Sequence, residues 1–206
     1  MRDTHKRGTL LLVAEIPEVI SDEALYPPER MAEIAKCSNV RVRLEKYYAW
    51  RLLFEGLSEF LGESLDGLDI HKNETGKWVC DKCAFSISHT LGVVAVAVSD
   101  DDVGVDVEEI RRHRTGLERL IFSENELSEF YRVDDGEKPE YLIKMWTRKE
   151  SIFKSLDQPA FHPSEIETEK YNVRTDILTV GKERLALSVC AWDAKNTEFK
   201  VVQLKP

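Results

Sequence analysis

The chain has 206 residues, of which 42% are hydrophobic and 33% charged; that is enough apolar material for a core, in one large domain or two small ones. Its 29 basic and 38 acidic side chains leave a net charge of −9, a balance that argues against general nucleic-acid binding. Mean hydropathy is −0.36, and the longest apolar runs fall far short of the ~18–20 residues of a membrane span.

The basic start, with Arg2, Lys6 and Arg7, is followed by a short apolar run, 10–14, that Glu15 ends at once. A signal peptide is therefore not expected, and the expected compartment is the cytoplasm. Residues 9–16 read as a first strand ending at Pro17. A turn at Pro27 and Pro28 leads into a short helix over 29–36. The apolar positions Val42, Ala49, Leu52, Leu53, Leu57, Phe60 and Leu61 recur at helical spacing, so 39–61 is predicted as a long helix closed by Gly62. Weak strands follow at 68–72 and 78–79. Residues 84–98 read as two strands joined by a turn near 90–92, and 103–108 as another.

In the second half, a charged segment over 108–114 precedes a short helix at 115–121. Ser123 with Glu126 three residues on forms a capping box for a helix through Phe130. Pro139 opens a longer helix to about Leu156. Late strands are predicted at 165–170, 176–180, 185–192 and 198–204. The repeated strand–turn–strand pattern favours antiparallel sheet over βαβ units. A long helix and several short strands in each half suggest an α+β fold of two similar lobes, 1–99 and 100–206, although the halves share no evident sequence repeat.

Four cysteines stand at 37, 80, 83 and 190. Cys80 and Cys83 form a single C-x-x-C with no second pair at zinc-finger spacing, so they read as ordinary reduced thiols rather than as half a metal site or a redox pair.

Three segments carry chemistry. In V-G-V-D-V-E, 103–108, strand alternation sends Val103, Val105 and Val107 one way and Asp106 and Glu108 the other, with Gly104 leaving room beside them. Adjacent carboxylates repel unless a cation lies between them, and a hard divalent ion such as Mg²⁺ suits oxygen ligands. The alternative is a solvated edge-strand face. In W-T-R-K-E-S-I-F-K, 146–154, helical spacing aligns Trp146, Glu150 and Lys154, with Lys149 a second cation nearby. Glu150 is either a third carboxylate of the site or half of an ordinary surface pair with Lys154. In F-S-I-S-H-T, 85–90, His89 stands at a strand end, where it is either structural or a donor to a phosphate.

In this order and spacing, I-S-H-T at 87–90, G-V-D-V-E at 104–108 and W-T-R-K-E-S-I-F-K at 146–154 resemble the motifs of the Sfp-type 4′-phosphopantetheinyl transferases. I-F-S-E-N-E-L at 121–127 resembles the linker between the last two. Gly76–Lys77 resembles the family's G-K-P turn with Trp78 in place of proline, and Thr90 replaces the commoner serine. The resemblance covers most of 40–160. It implies two α+β lobes, each a small, mainly antiparallel sheet on a long helix, related by a pseudo-twofold. It implies a monomeric enzyme of the holo-[acyl-carrier-protein] synthase type. Such an enzyme moves the phosphopantetheine arm of coenzyme A onto a serine of an apo acyl or peptidyl carrier protein and releases 3′,5′-ADP. Nucleic acid and membrane are not expected partners.

By the same resemblance, Asp106, Glu108 and Glu150 match ligands of Mg²⁺, with Mn²⁺ as an alternative. Glu150 matches the base for the carrier serine. Lys154 and His89 match phosphate contacts, Lys149 adds charge beside them, and Lys77 and Ser88 match contacts at the nucleotide end. Arg51 is the candidate for the 3′-phosphate, with Arg43 as the other choice. Arg111, Arg112, His113 and Arg114 form either a basic patch for an acidic carrier or a solvated loop. The competing reading of the whole chain is a non-catalytic module that binds coenzyme A or a nucleotide on the same fold.

Overall fold

The computed structural model describes residues 8–20, 26–156 and 158–206; the basic start with Arg2, Lys6 and Arg7 lies outside them. The described residues fold in the order β1 (Thr9–Glu15), α1 (Pro28–Ala35), α2 (Val40–Leu61), β2 (Ile70–Lys72), β3 (Trp78–Cys80), β4 (Ala84–Thr90), β5 (Val93–Ser99), β6 (Gly104–Glu109), α3 (Glu118–Ile121), α4 (Glu124–Phe130), α5 (Lys138–Leu156), β7 (Val173–Val180), β8 (Glu183–Cys190) and β9 (Glu198–Gln203). None of these helices is long and apolar enough to cross a membrane.

Two sheets lie face to face between two long helices. The first has the order β4-β5-β1-β9 and the second β6-β8-β7, with β2 and β3 forming a separate hairpin. Strands β1 and β5 are buried on both faces, which is why they read as almost unbroken apolar runs instead of alternating. One face, with Leu10, Leu12, Val94, Val96 and Val98, packs on Trp50, Leu53 and Leu57 of α2. The other face, with Leu11, Val13, Ala95 and Ala97, packs on Val105 and Val107 of β6 and Leu185, Leu187 and Val189 of β8. The far side of the second sheet carries α5, where Thr147 and Ser188 share a 2.8 Å hydroxyl–hydroxyl hydrogen bond.

Helix α2 begins where the Asn39 side chain accepts the Val42 N–H at 3.1 Å and ends at Gly62 with φ +67°. The capping box of α4 forms as predicted, with the Glu126 carboxylate accepting the Ser123 N–H and the Ser123 hydroxyl accepting the Glu126 N–H.

Two sequence expectations are corrected. Residues 165–170 do not form a strand. Single 3₁₀ turns at Pro163–Glu165 and Thr168–Lys170 occupy the stretch, which wraps α5 and finds no strand to pair with. Antiparallel pairing is not universal either. The closing strand β9 returns to the first sheet and runs parallel to β1, Leu12 opposite Lys200, covering an edge that β1 would otherwise expose.

Candidate active site

The site forms where the free edges of the two sheets meet. Strand β6 sits at the margin of its sheet, and β4 runs alongside it without a backbone ladder. Serine side chains of β4 take the ladder's place. The Ser86 hydroxyl accepts the Val105 N–H at 3.0 Å, and the Ser88 hydroxyl accepts the Val107 N–H at 3.2 Å. Ser88 also donates to Asp106 Oδ1 at 2.8 Å, and Thr90 to Glu108 Oε2 at 3.4 Å. The period of two in S-I-S-H-T thus meets the period of two in G-V-D-V-E, hydroxyl against carboxylate.

Gly104 sets the distance to α5. A Cβ there would lie 1.8 Å from the Ser151 carbonyl oxygen and 2.7 Å from the Ser155 nitrogen, so only glycine lets the helix backbone come this close. The room that glycine leaves is filled by α5 itself, one turn before Lys154. Lys154 Nζ then reaches Asp106 Oδ1 at 2.7 Å and Glu150 Oε1 at 3.5 Å. Asp106 is 2% exposed, which rules out a solvated strand face. The backbone carbonyl of Lys154 accepts Lys77 Nζ at 2.7 Å, tying the β2–β3 hairpin to the helix.

Charge in this cluster is unbalanced. Burial, then the charges of Asp106 and Glu150, push the Glu108 carboxyl up to about 7 against the opposing pull of Lys154 and Thr90. Burial and Asp106 likewise raise Glu150. Burial works against the charged form of Lys154, but Asp106 and Glu150 outweigh it and hold the ammonium above its usual range. Three carboxylates answered by one ammonium leave a deficit of positive charge, and Asp106 Oδ2 is buried without a hydrogen-bond partner. That donor chemistry, hard anionic oxygen with one orphaned, fits a divalent cation such as Mg²⁺. Among the described residues, however, no three such groups are gathered closely enough to hold a metal as they stand.

His89 lies at the same edge. Its Nδ1 is 3.0 Å from Glu45 Oε2, a carboxylate of α2 that is 5% exposed and also accepts the Gly92 N–H at 2.8 Å. Burial raises the Glu45 carboxyl, but the hydrogen bonds from His89 and Gly92 and the charges of His89 and Arg41 bring it below its ordinary value. Glu45 escaped the sequence reading because it is 44 residues from its partner in a helix otherwise read for its apolar face. An acid on the face that carries Tyr48, Ala49 and Leu52 was the available signal.

A cleft of about 440 Å³ opens beside the cluster. Gly76, Lys77, Trp78, Phe85, Phe153 and Lys154 line it, so it is walled by aromatic rings and has ammonium groups at hand. The structure thus brings together Ser88, Asp106, Glu108, Glu150 and Lys154, with Lys77 on the Lys154 carbonyl, whereas His89 leaves β4 on the alternate face and meets Glu45 of α2.

Lys149 and Arg51 do not join them. Lys149 is fully buried on another side of α5, where Nζ donates to Glu126 Oε2 at 2.6 Å, the Ile121 carbonyl at 3.0 Å and the Pro163 carbonyl at 2.9 Å. Its place next to Glu150 in sequence turns it about 100° around the helix, and it fastens α3 and α4 to α5. Arg51 pairs with Glu55 at 3.8 Å and does not line the cleft. It is six residues past Glu45, and Arg43 two before it, so neither shares that residue's helix face. Arg41, one turn before Glu45, does share it and lies 3.6 Å from the Glu45 carboxylate. Ser88 is present, but its hydroxyl is committed to β6.

Comparison with known proteins points one way. Residues 102–202 match the family model described as the 4′-phosphopantetheinyl transferase superfamily. The chain is 31% identical over 91 residues to a holo-[acyl-carrier-protein] synthase of Mycoplasma mycoides, covering 43% of this chain and 82% of that protein. It is 28% identical over 154 residues to the 4′-phosphopantetheinyl transferase AcpT of Escherichia coli O157:H7, covering 72% of this chain and 75% of AcpT. It is 34% identical over 70 residues to the 4′-phosphopantetheinyl transferase ffp of Bacillus subtilis, a stretch covering 34% of this chain and about a third (31%) of that relative's length.

Proposed function

Because the chain belongs to the 4′-phosphopantetheinyl transferase superfamily, we propose that it transfers the phosphopantetheine arm of coenzyme A to a serine of an apo acyl or peptidyl carrier protein, releasing 3′,5′-ADP. The observation that carries this reading is the half-buried cluster of Glu108, Glu150 and Lys154 around the buried Asp106, beside a cleft lined by Lys77 and aromatic rings. We read residues 1–99 and 100–206 as the two lobes of the family's fold, related by a pseudo-twofold, and the enzyme as a cytoplasmic monomer.

The chemistry asks for charge and position more than for covalent participation. The serine oxygen of the carrier bonds to the phosphorus that bears the pantetheine arm, and the bond from that phosphorus to the 3′,5′-ADP oxygen breaks. Glu150, raised by burial and by Asp106, takes the serine proton. Lys154 Nζ donates to the pyrophosphate oxygens as negative charge gathers on the leaving side. His89, oriented through Nδ1 by Glu45, turns Nε2 toward phosphate. Lys77 serves the nucleotide end, and Ser88 holds Asp106 in place. Asp106, Glu108 and Glu150 are the residues that would hold Mg²⁺, or Mn²⁺ in its stead, which when bound neutralises charge on the pyrophosphate. A groove of about 490 Å³ lined by Arg112, His113, Arg114 and Tyr131, with Glu118 and an Asp135–Lys138 pair also in its wall, is the surface we assign to an acidic carrier through its arginines.

The test is release of 3′,5′-ADP from coenzyme A, followed chromatographically with and without an apo carrier protein. Release that requires the carrier supports the transferase. Coenzyme A that binds yet stays intact with several carriers leaves the non-catalytic binding module instead.

A further inference from the structure

We infer that Cys80 and Cys83 are a site of reversible oxidation, a dithiol that exchanges with a low-molecular-weight disulfide and closes into an intramolecular bond. Cys80 ends β3 and Cys83 immediately precedes β4, and their sulfurs are 4.0 Å apart, both as reduced thiols. A disulfide needs about 2.0 Å between sulfurs. The intervening Asp81 and Lys82 are bends rather than ladder residues, but Cys80 pairs with Ile70 and the Asp81 N–H donates to the Asp69 carbonyl, so closing the gap falls to the two cysteine side chains and the bend between them.

The two sulfurs differ in ways that set their order of reaction. Cys80 is half-buried, opens on a groove of about 370 Å³ and accepts the Lys82 N–H at 3.5 Å. Its own S–H donates to Asp81 Oδ1 at 3.8 Å. Cys83 is 8% exposed and packs in the core under α2, within reach of Cys80 but less open to a reagent. The remaining thiols touch no sulfur: Cys37 donates to the Asn39 carbonyl, and Cys190 is buried beside Ser155, its thiol pushed up by burial.

With glutathione disulfide as the oxidant, the Cys80 thiolate attacks one sulfur, the glutathione S–S bond breaks and one glutathione leaves. Cys83 then loses its proton to water and attacks the Cys80 sulfur, breaking the mixed disulfide and releasing the second glutathione. Two protein thiols are oxidised by two electrons, and one glutathione disulfide is reduced to two glutathiones. The groove shares Lys77, Trp78 and Phe85 with the larger cleft, so the new bond would tie together the two strands that wall it.

The experiment exposes the full chain to glutathione disulfide at neutral pH, reads intact mass, then alkylates the remaining thiols and reads a peptide map. The native protein is expected to lose about 2 Da, keep no glutathione and show a Cys80–Cys83 link that dithiothreitol reverses. Cys83→Ser is expected to retain one glutathione on Cys80, and Cys80→Ser to leave Cys83 alkylatable. Glutathione stranded on Cys80 of the native protein, or a map with both cysteines still alkylated, overturns the inference without reference to either variant's folding or to transferase activity.

Discussion

Lys154 Nζ donates to Asp106 Oδ1 across 2.7 Å, so the last turn of α5 is joined to the middle of β6 by a cation on a carboxylate that is 2% exposed. The same ammonium is 3.5 Å from Glu150. One side chain thus carries both a structural link between two elements and the only cationic head in contact with this acid cluster among the described residues.

Replacing that ammonium has two expected consequences. Lys154→Met leaves Asp106 buried and uncompensated, and breaking a buried pair of this kind costs about 3–5 kcal/mol. Urea unfolding of the variant is expected to show a lower midpoint, and phosphopantetheine transfer to fall by at least about tenfold as the donor to the leaving group disappears. Unchanged transfer in a folded variant would take Lys154 out of the chemistry.

Gly104→Ala tests the close approach of α5. The added methyl would collide with the Ser151 carbonyl and the Ser155 nitrogen, backbone atoms that no rotamer change can clear. A loss of about 1–3 kcal/mol or more is expected, with α5 displaced and coenzyme A binding weakened. Thermal melting with and without coenzyme A reads both effects. A variant as stable as the native protein would show that the helix is not held at this distance.

The glycine shows how much of the site was legible in sequence. Its spacing from Asp106 and Glu108 is local, so strand alternation alone placed the three on one face. That the space over Gly104 belongs to α5 depends on a helix some 50 residues away, and no pattern in the strand encodes it. Helix periodicity located α2 and α5, because each buries an apolar stripe. It misread Lys149, because adjacency in a motif says nothing about which way a side chain leaves the helix. Glu45 went unread for the same reason: its partners, His89 and the Gly92 N–H, lie across the fold, and Arg41 matters only through Glu45 one turn along the same helix. The strand expected at 165–170 failed because period-two polarity needs a neighbouring edge, and none is there. Trp78, read as the start of a short strand and as a replaced proline, is also a wall of the cleft and packs edge-on against Trp50 at 4.9 Å.

Lys149→Met separates a structural lysine from a catalytic one. Its ammonium is fully buried against Glu126 and two carbonyls, so the single variant is expected to lose about 3–5 kcal/mol of stability by leaving Glu126 unpaired. A Lys149→Met, Glu126→Leu double variant recovers part of that loss. In either folded variant the KM for coenzyme A stays as in the native protein. A raised KM in the double variant would return Lys149 to the cofactor site.

Glu45→Gln tests the histidine's anchor through pH. The Glu45 carboxyl sits below its unfolded value of about 4.5 in the folded chain, so its stabilising contribution is fully present above that value and is lost as pH falls through the lower, folded one. The stability difference between native protein and variant is therefore expected to be largest near pH 6 and to shrink below about pH 4. Urea titrations at the two pH values measure it. At neutral pH the variant is also expected to transfer more slowly, because the amide offers one acceptor oxygen where the carboxylate offered two, and His89 and the Gly92 N–H then compete for it. A difference that grew on acidification would contradict the assignment.

Phosphopantetheine transfer is assigned to the Asp106, Glu108, Glu150 and Lys154 cluster. The most direct measurement is the intact mass of an apo acyl carrier protein after incubation with this protein, coenzyme A and Mg²⁺, beside an EDTA control and a Glu150→Gln control. A gain of one phosphopantetheine arm is expected, absent with EDTA and with the variant. A carrier left at its apo mass across acyl and peptidyl types, or one modified equally well by Glu150→Gln, would contradict that assignment.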